Sequence, residues 1–261
     1  MKKTVIAAAL ASTVFSGAAM AWTAGGTGGN IEIGGNIQVT PYTTPWEVEV
    51  GAPAATLDAN ITKGTKVVMI PVTKAIPVLG IRSKTATFVG APTINPQIDY
   101  RGAVQINNFS NGVTTMTLPV MDADNPATQI GALETKFSAA AVSAYYVLNA
   151  DDGAQYSTYS DTASSAFYGG VATKIGSVIQ DVADAKALLN NLNTQYLANY
   201  AVRPSTRSEA PMRAGFVNPK QTYAGAYGAG IQAGQNIKLT LTKPAANDVI
   251  KWKASLPVTV S

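Results

Sequence analysis

The side chains able to do chemistry in this 261-residue chain are carboxylates, phenols and hydroxyls, because it contains no cysteine and no histidine. Thiolate and imidazole metal sites, a cysteine nucleophile and a serine–histidine–aspartate relay are thereby excluded, as is any disulfide. Two carboxylate pairs remain, Asp122/Asp124 and Asp151/Asp152. Paired carboxylates can perform general acid–base work or hold calcium. Both pairs sit in turn-forming stretches, where Asp serves the backbone. Pro126 takes the third ligand position that a calcium loop opening at Asp122 would need. No Ser-x-x-Lys follows Ala21, so a serine–lysine nucleophile lacks its cue. The glycines from Gly25 to Gly29 precede a strand pattern, not a helix, which rules out a phosphate-cradling loop. These residues point away from an enzyme, a metal centre or a cofactor.

The phenols are more suggestive. Seven of the eleven tyrosines lie between Tyr145 and Tyr200. Within that region Asp151 to Asp161 reads Asp-Asp-Gly-Ala-Gln-Tyr-Ser-Thr-Tyr-Ser-Asp, expected as a loop. It combines aromatic faces with hydrogen-bonding groups, as carbohydrate sites do, and makes Tyr156, Tyr159 and Asp161 candidates for glycan contact. The alternative is that these tyrosines pack a local core or decorate a solvated turn.

The elements that must position them begin with an export signal. Lys2 and Lys3, an apolar core from Thr4 to Phe15 and Ala19-Met20-Ala21 are the three parts of a secretory leader, with cleavage expected after Ala21. The apolar stretch is shorter than the ~20 residues of a spanning helix. Losing Lys2 and Lys3 lowers the formal charge of +4 by two, and no Lys/Arg run remains to attract nucleic acid.

After the glycine-rich Thr23 to Gly29, the residues Ile31, Ile33, Gly35, Ile37 and Val39 alternate with polar ones, a strand with one apolar face. Further strands are expected at 46–50, 65–72, 81–89, 103–108, 113–121 and 128–137. Turn residues such as Asn111-Gly112 and Asp124-Asn125-Pro126 separate them, the pattern of a sandwich. From Ile175 to Tyr200 the apolar spacing becomes helical and predicts one helix of up to about 25 residues. An outer-membrane barrel, the other all-strand possibility, fits poorly with that helix. At the end Trp252, Ala254, Leu256, Val258 and Val260 alternate with polar residues and Pro257, another one-sided strand, with Pro257 marking an edge.

The N-terminal strand has two possible uses: pairing within its own sandwich, or docking into a neighbouring copy by strand addition. Because the two ends differ, the second contact would be heterologous and would build a filament.

The chain resembles the K-eighty-eight-like family of chaperone–usher fimbrial major subunits. The resemblance is carried by Trp22 after the leader, Asn30-Ile-Glu-Ile-Gly-Gly-Asn-Ile37, Gly64-Thr-Lys66 and Pro77-Val-Leu-Gly80 with Arg82 and Lys84. It continues through Pro96-Gln-Ile98 with Tyr100, Phe167-Tyr-Gly-Gly170, Ala226 to Gln235 and the Trp252 to Val260 strand. Residues from about Asp122 to Ser165 and from Asn190 to Val217 match poorly, and the chain ends on Ser261 where such subunits commonly carry an aromatic.

The resemblance implies an incomplete immunoglobulin-like β-sandwich completed by a donor strand, with an inserted α-helical subdomain at about 140–205. It divides the chain into a signal peptide (1–21), a donor-strand extension (22–40) and a pilin domain (41–261). It implies that Ile31, Ile33, Gly35, Ile37 and Val39 fill a groove walled by Trp252, Ala254, Leu256, Val258 and Val260. The implied partners are neighbouring copies, a periplasmic chaperone, an outer-membrane usher and a host-cell glycoconjugate. A shaft subunit without receptor affinity, or a stand-alone exported β-sandwich binding protein, is the alternative.

Overall fold

The computed structural model describes residues 44–54, 57–150, 152–246 and 249–261, all within one unit, Thr43–Ser261. The leader and the strand from Ile31 to Val39 lie outside the described residues. In chain order the strands before the helix are β1 (Trp46–Val50), β2 (Val67–Pro71), β3 (Ile76–Ser83), β4 (Phe88–Val89), β5 (Ile98–Asp99), β6 (Val113–Asp122), β7 (Gln129–Val147) and β8 (Gly153–Tyr159). The helix α1 (Val182–Leu192) follows, then β9 (Arg207–Ser208), β10 (Met212–Arg213), β11 (Gln221–Ile231), β12 (Asn236–Leu241), β13 (Trp252–Ala254) and β14 (Thr259–Val260). The architecture is mainly β with one inserted helix, the class the sequence implied.

The long strand β7 organises the sheet. Its first half runs between β6 and β12, its second half between β8 and β11. β12 continues to β2, whereas β11 continues to β3 and then to the edge strand β1. Strand alternation predicts only 128–137 of β7, yet it continues to Val147. From Phe137 to Ala144 every residue is buried. Both faces are covered there, so the period of two disappears from the sequence and the Ala-rich run gives no strand signal.

Two expected strands change form. The stretch 103–108 contributes one bridge, Val104 to Met116, and then a 3₁₀ turn at Ile106–Asn108. The segment read as 81–89 starts earlier, at Ile76, and breaks after Ser83 into a turn before β4. The turn Asn111-Gly112 is as expected, with φ of +48° and +74°, values that Asn and Gly tolerate best.

The helix is shorter than its apolar spacing. Asp181 caps it, its carboxylate accepting from the Ala183 amide at 2.6 Å. Asn193 ends it: its extended backbone donates to Leu189 O, and its side chain accepts from the Gln195 amide at 3.0 Å. A 3₁₀ turn at Thr194–Leu197 then keeps Tyr196 on the stripe of Val182, Ala185, Leu188, Leu189 and Leu192. The periodicity thus crosses a cap that apolar spacing cannot reveal.

Strand β11 explains how the helix docks. Tyr227, Ala229 and Ile231 face the main core, while Ala226 joins the helix stripe on the other face. Gly228 pairs directly with Gly80 of β3, and the Tyr196 ring lies over both. A Cβ built on Gly80 would stand 2.1 Å from that ring, and one on Gly228 2.4 Å. On the core side Trp46 packs edge-on against Phe88 and Phe167 and at a tilt against Phe216, donating Nε1–H to Ile94 O. Tyr100 and Tyr227 share a buried hydroxyl–hydroxyl hydrogen bond of 2.7 Å.

Candidate assembly edge and surface patch

From Lys251 to Ser261 the burial pattern follows the sequence pattern residue by residue. Trp252, Ala254, Leu256, Val258 and Val260 are half-buried against the main core, and each residue between them is exposed. The backbone is paired along one side only: β13 with β6, then β14 with β5. Gln97 and Ser261 close the end with reciprocal amide–carbonyl bonds of 2.8 and 3.0 Å. The break between β13 and β14 spans Pro257, which cannot donate to a ladder. Among the described residues no strand pairs with the other side of this segment. A cleft of about 340 Å³ lies at its end, between Ile98, Tyr168, Thr259 and Ser261.

The edge strand β1 shows the same incompleteness. Val48 and Val50 align with Ile81 and Leu79, both fully buried in the core. They therefore occupy the core-facing register, yet they are 48% and 64% exposed. Core-facing valines left exposed at a sheet edge leave apolar surface and an unpaired backbone open to a covering strand.

Of the residues singled out for glycan contact, Tyr156 and Tyr159 belong to a strand, not the expected loop, and Asp161 follows just beyond its end. The stretch 153–159 is β8, held by β7 on one side, because Gly153 to Ser157 fall into register with Tyr146 to Val142. Tyr156 is only 4% exposed, its ring centroid 6.4 Å from that of Tyr145, and burial pushes its hydroxyl pKa well above the ordinary value. Tyr159 is half-buried, and Asp161 is exposed. The chain returns beside them as β10, parallel to β8, and Arg213 binds the Asp161 carboxylate at 2.9 Å.

Alternation could not have found the neighbouring polar cluster, since its members come from distant segments. Arg207 binds Asp152 and Glu209 and donates to the Tyr145 hydroxyl at 3.1 Å. Lys186 of α1 donates to Gln155 of β8 at 3.1 Å. The Arg203 guanidinium covers the Tyr146 ring at 4.4 Å. Of the two carboxylate pairs, Asp122 accepts from the Asp124 and Asn125 amides, the turn role expected of it.

The family described as fimbrial major and minor subunits matches residues 1–261. K88 fimbrial protein AB of Escherichia coli is 29% identical over 286 residues, covering 100% of this chain and 99% of its own. K88 fimbrial proteins AC and AD, also of Escherichia coli, are 29% and 28% identical over 291 and 287 residues, with the same coverage. Matched over its whole length, this chain belongs to the family of fimbrial major and minor subunits, exported structural proteins of the cell-surface fimbria.

Proposed function

We propose that the chain polymerises by donor-strand exchange and is itself the adhesin of the fibre. Residues 22–40 form the extension, and Ile31, Ile33, Gly35, Ile37 and Val39 enter the groove of the next copy. The observation that carries this reading is the half-buried face of Trp252, Ala254, Leu256, Val258 and Val260 on a segment paired along one side. An added strand supplies the missing backbone partners and covers Val48 and Val50. A periplasmic chaperone protects the same edge before assembly at an outer-membrane usher, since an uncovered edge with apolar residues aggregates. Deleting Trp22 to Val39 should leave a subunit that still binds its chaperone yet forms no fibre. Normal fibres from that deletion would refute the proposal.

The adhesin half rests on the surface around Tyr159, Asp161 and Arg213. A half-buried phenol beside a charged pair offers a stacking face and directional hydrogen bonds to a sugar of a host glycoconjugate. A subunit completed by a fused donor strand should bind on a glycan array, and Tyr159→Ala with Asp161→Ala should abolish the signal. An array blank for the parent assigns the subunit to the shaft and the adhesion to another protein.

A further inference from the structure

A second feature of β1 lies on its helix-facing side. A cleft of about 240 Å³ opens there, lined by Glu47, Glu49, Arg82, Gln195 and Tyr196 over the floor of Gly80. Glu47 is occupied, accepting from Arg82 Nε at 2.9 Å, and the same guanidinium donates to Gln195 O at 2.8 Å. Glu49 is exposed and, among the described residues, is reached only by the Asn193 amide at 3.5 Å, too long for a good hydrogen bond. Beside it, Tyr196 is 2% exposed, and its hydroxyl has no hydrogen-bond partner among the described residues. Burial and the negative charge of Glu49 both keep that hydroxyl protonated.

An under-used carboxylate next to an unpartnered phenol calls for a compact cation with several donors. A primary ammonium group carries three N–H donors and no acceptor, so it can serve both oxygens at once. A guanidinium already fills the Glu47 side of the cleft, which leaves room for a slender side chain.

Chain connectivity selects the occupant. Seven residues carry the chain from Val39 to Trp46, a span of at most about 25 Å when extended. A copy that lends Ile31 to Val39 thus holds its own β1 within that reach of the acceptor's edge. Antiparallel addition, the sense in which β5 and β6 pair with the same segment, brings Val39 to the Trp252 end. The exposed register there carries Lys251 and Lys253. Lys251 is bound to Asp124 at 3.2 Å, while Lys253 is exposed on the strand and enters no ion pair among the described residues.

We infer that Lys253 of the acceptor copy places its ammonium group between Glu49 and Tyr196 of the donor copy, a charged clasp beside the exchanged strand. The inference rests on the donor-strand reading and adds to it a second, side-chain contact between successive subunits. The clasp locks the angle at which each subunit follows the last.

The test uses fibres of the full chain. Glu49→Lys and Lys253→Glu should each speed depolymerisation about tenfold at low salt, with a smaller effect at high salt. The two changes combined should restore the parental rate. Glu49→Gln and Lys253→Met, which are gentler on folding, should reproduce the weakening in part. Since the chain has no cysteine, Glu49→Cys with Lys253→Cys should give a covalent ladder of subunits when treated with a short bis-maleimide. Unchanged depolymerisation in all variants, failure of the combined change to restore the rate, or absence of the ladder overturns the clasp and leaves strand exchange standing. Fibres from Ile33→Asp would instead overturn strand exchange, and the clasp with it.

Discussion

Tyr196 over the Gly80–Gly228 pair is a sharp test of how the helical insert is fixed to the sheet. A Cβ at Gly80 would approach the Tyr196 ring to 2.1 Å, whereas carbon atoms rest about 3.5–4.0 Å apart. Gly80→Ala therefore forces the ring outwards by roughly 1.5 Å, and overpacking of that kind costs about 1–3 kcal/mol. Gly80 lies in β3 with no positive φ, so alanine suits its backbone. With the ring removed, alanine should even stabilise, by about 0.4–1 kcal/mol, because it restricts the unfolded chain. The sign of the Gly80→Ala effect should reverse between the parent and Tyr196→Ala backgrounds. Tyr196→Ala alone should cost about 3–5 kcal/mol, the loss of a buried aromatic. Urea unfolding of the strand-completed subunit, followed by far-ultraviolet circular dichroism, measures all four corners of the cycle. At about 2–4 °C per kcal/mol for a unit of this size, thermal midpoints should follow. An equal cost of Gly80→Ala in both backgrounds would refute the slot.

Alkali should unfold the subunit cooperatively. Burial raises the pKa of Tyr100, Tyr156, Tyr196, Tyr200 and Tyr227 above the ordinary value. The unfolded chain therefore loses protons first: stability is unaffected below about pH 10 and falls above it, by up to about 1.4 kcal/mol per pH unit for each such group. A stability constant to pH 11 would contradict that burial. Asp181→Ala should cost about 1 kcal/mol through loss of the α1 cap, with Asp181→Asn nearly neutral, both read from urea midpoints. Arg207→Ala, despite its two carboxylate partners, should leave the urea midpoint close to that of the parent, because the guanidinium is solvated. Gly169→Ala should destabilise strongly, since φ is +79° and a Cβ would meet Ile98 O at 2.0 Å, and the damage should loosen the β5–β14 end in hydrogen exchange.

The one-sided strand at the C-terminus was legible because its residues alternate where one face meets apolar atoms and the other meets water. That pattern is local and survives any tertiary arrangement. The same logic fails for the second half of β7, where the sheet beneath and the helix above bury both faces of an Ala-rich run. Helical spacing located α1 but overran it, since a cap depends on one hydrogen bond at Asn193 and a 3₁₀ turn preserves the stripe beyond it. Tyr156 and Tyr159 illustrate the limit for a binding surface. Composition offered two phenols in one short stretch, and strand geometry turned one inwards and left the other half-open.

Residue types alone thus determined that the chain has no thiol or imidazole chemistry, and spacing alone determined that its C-terminal segment is apolar on one side only. Those are properties of composition and of spacing within a few residues. Tertiary structure decided which valines of β1 go uncovered, that Arg213 meets Asp161, that Arg207 meets Asp152, and that Tyr196 rests on Gly80 and Gly228. Each of these joins segments tens of residues or more apart, and such contacts are set by the packing of the whole sheet, which no local period encodes.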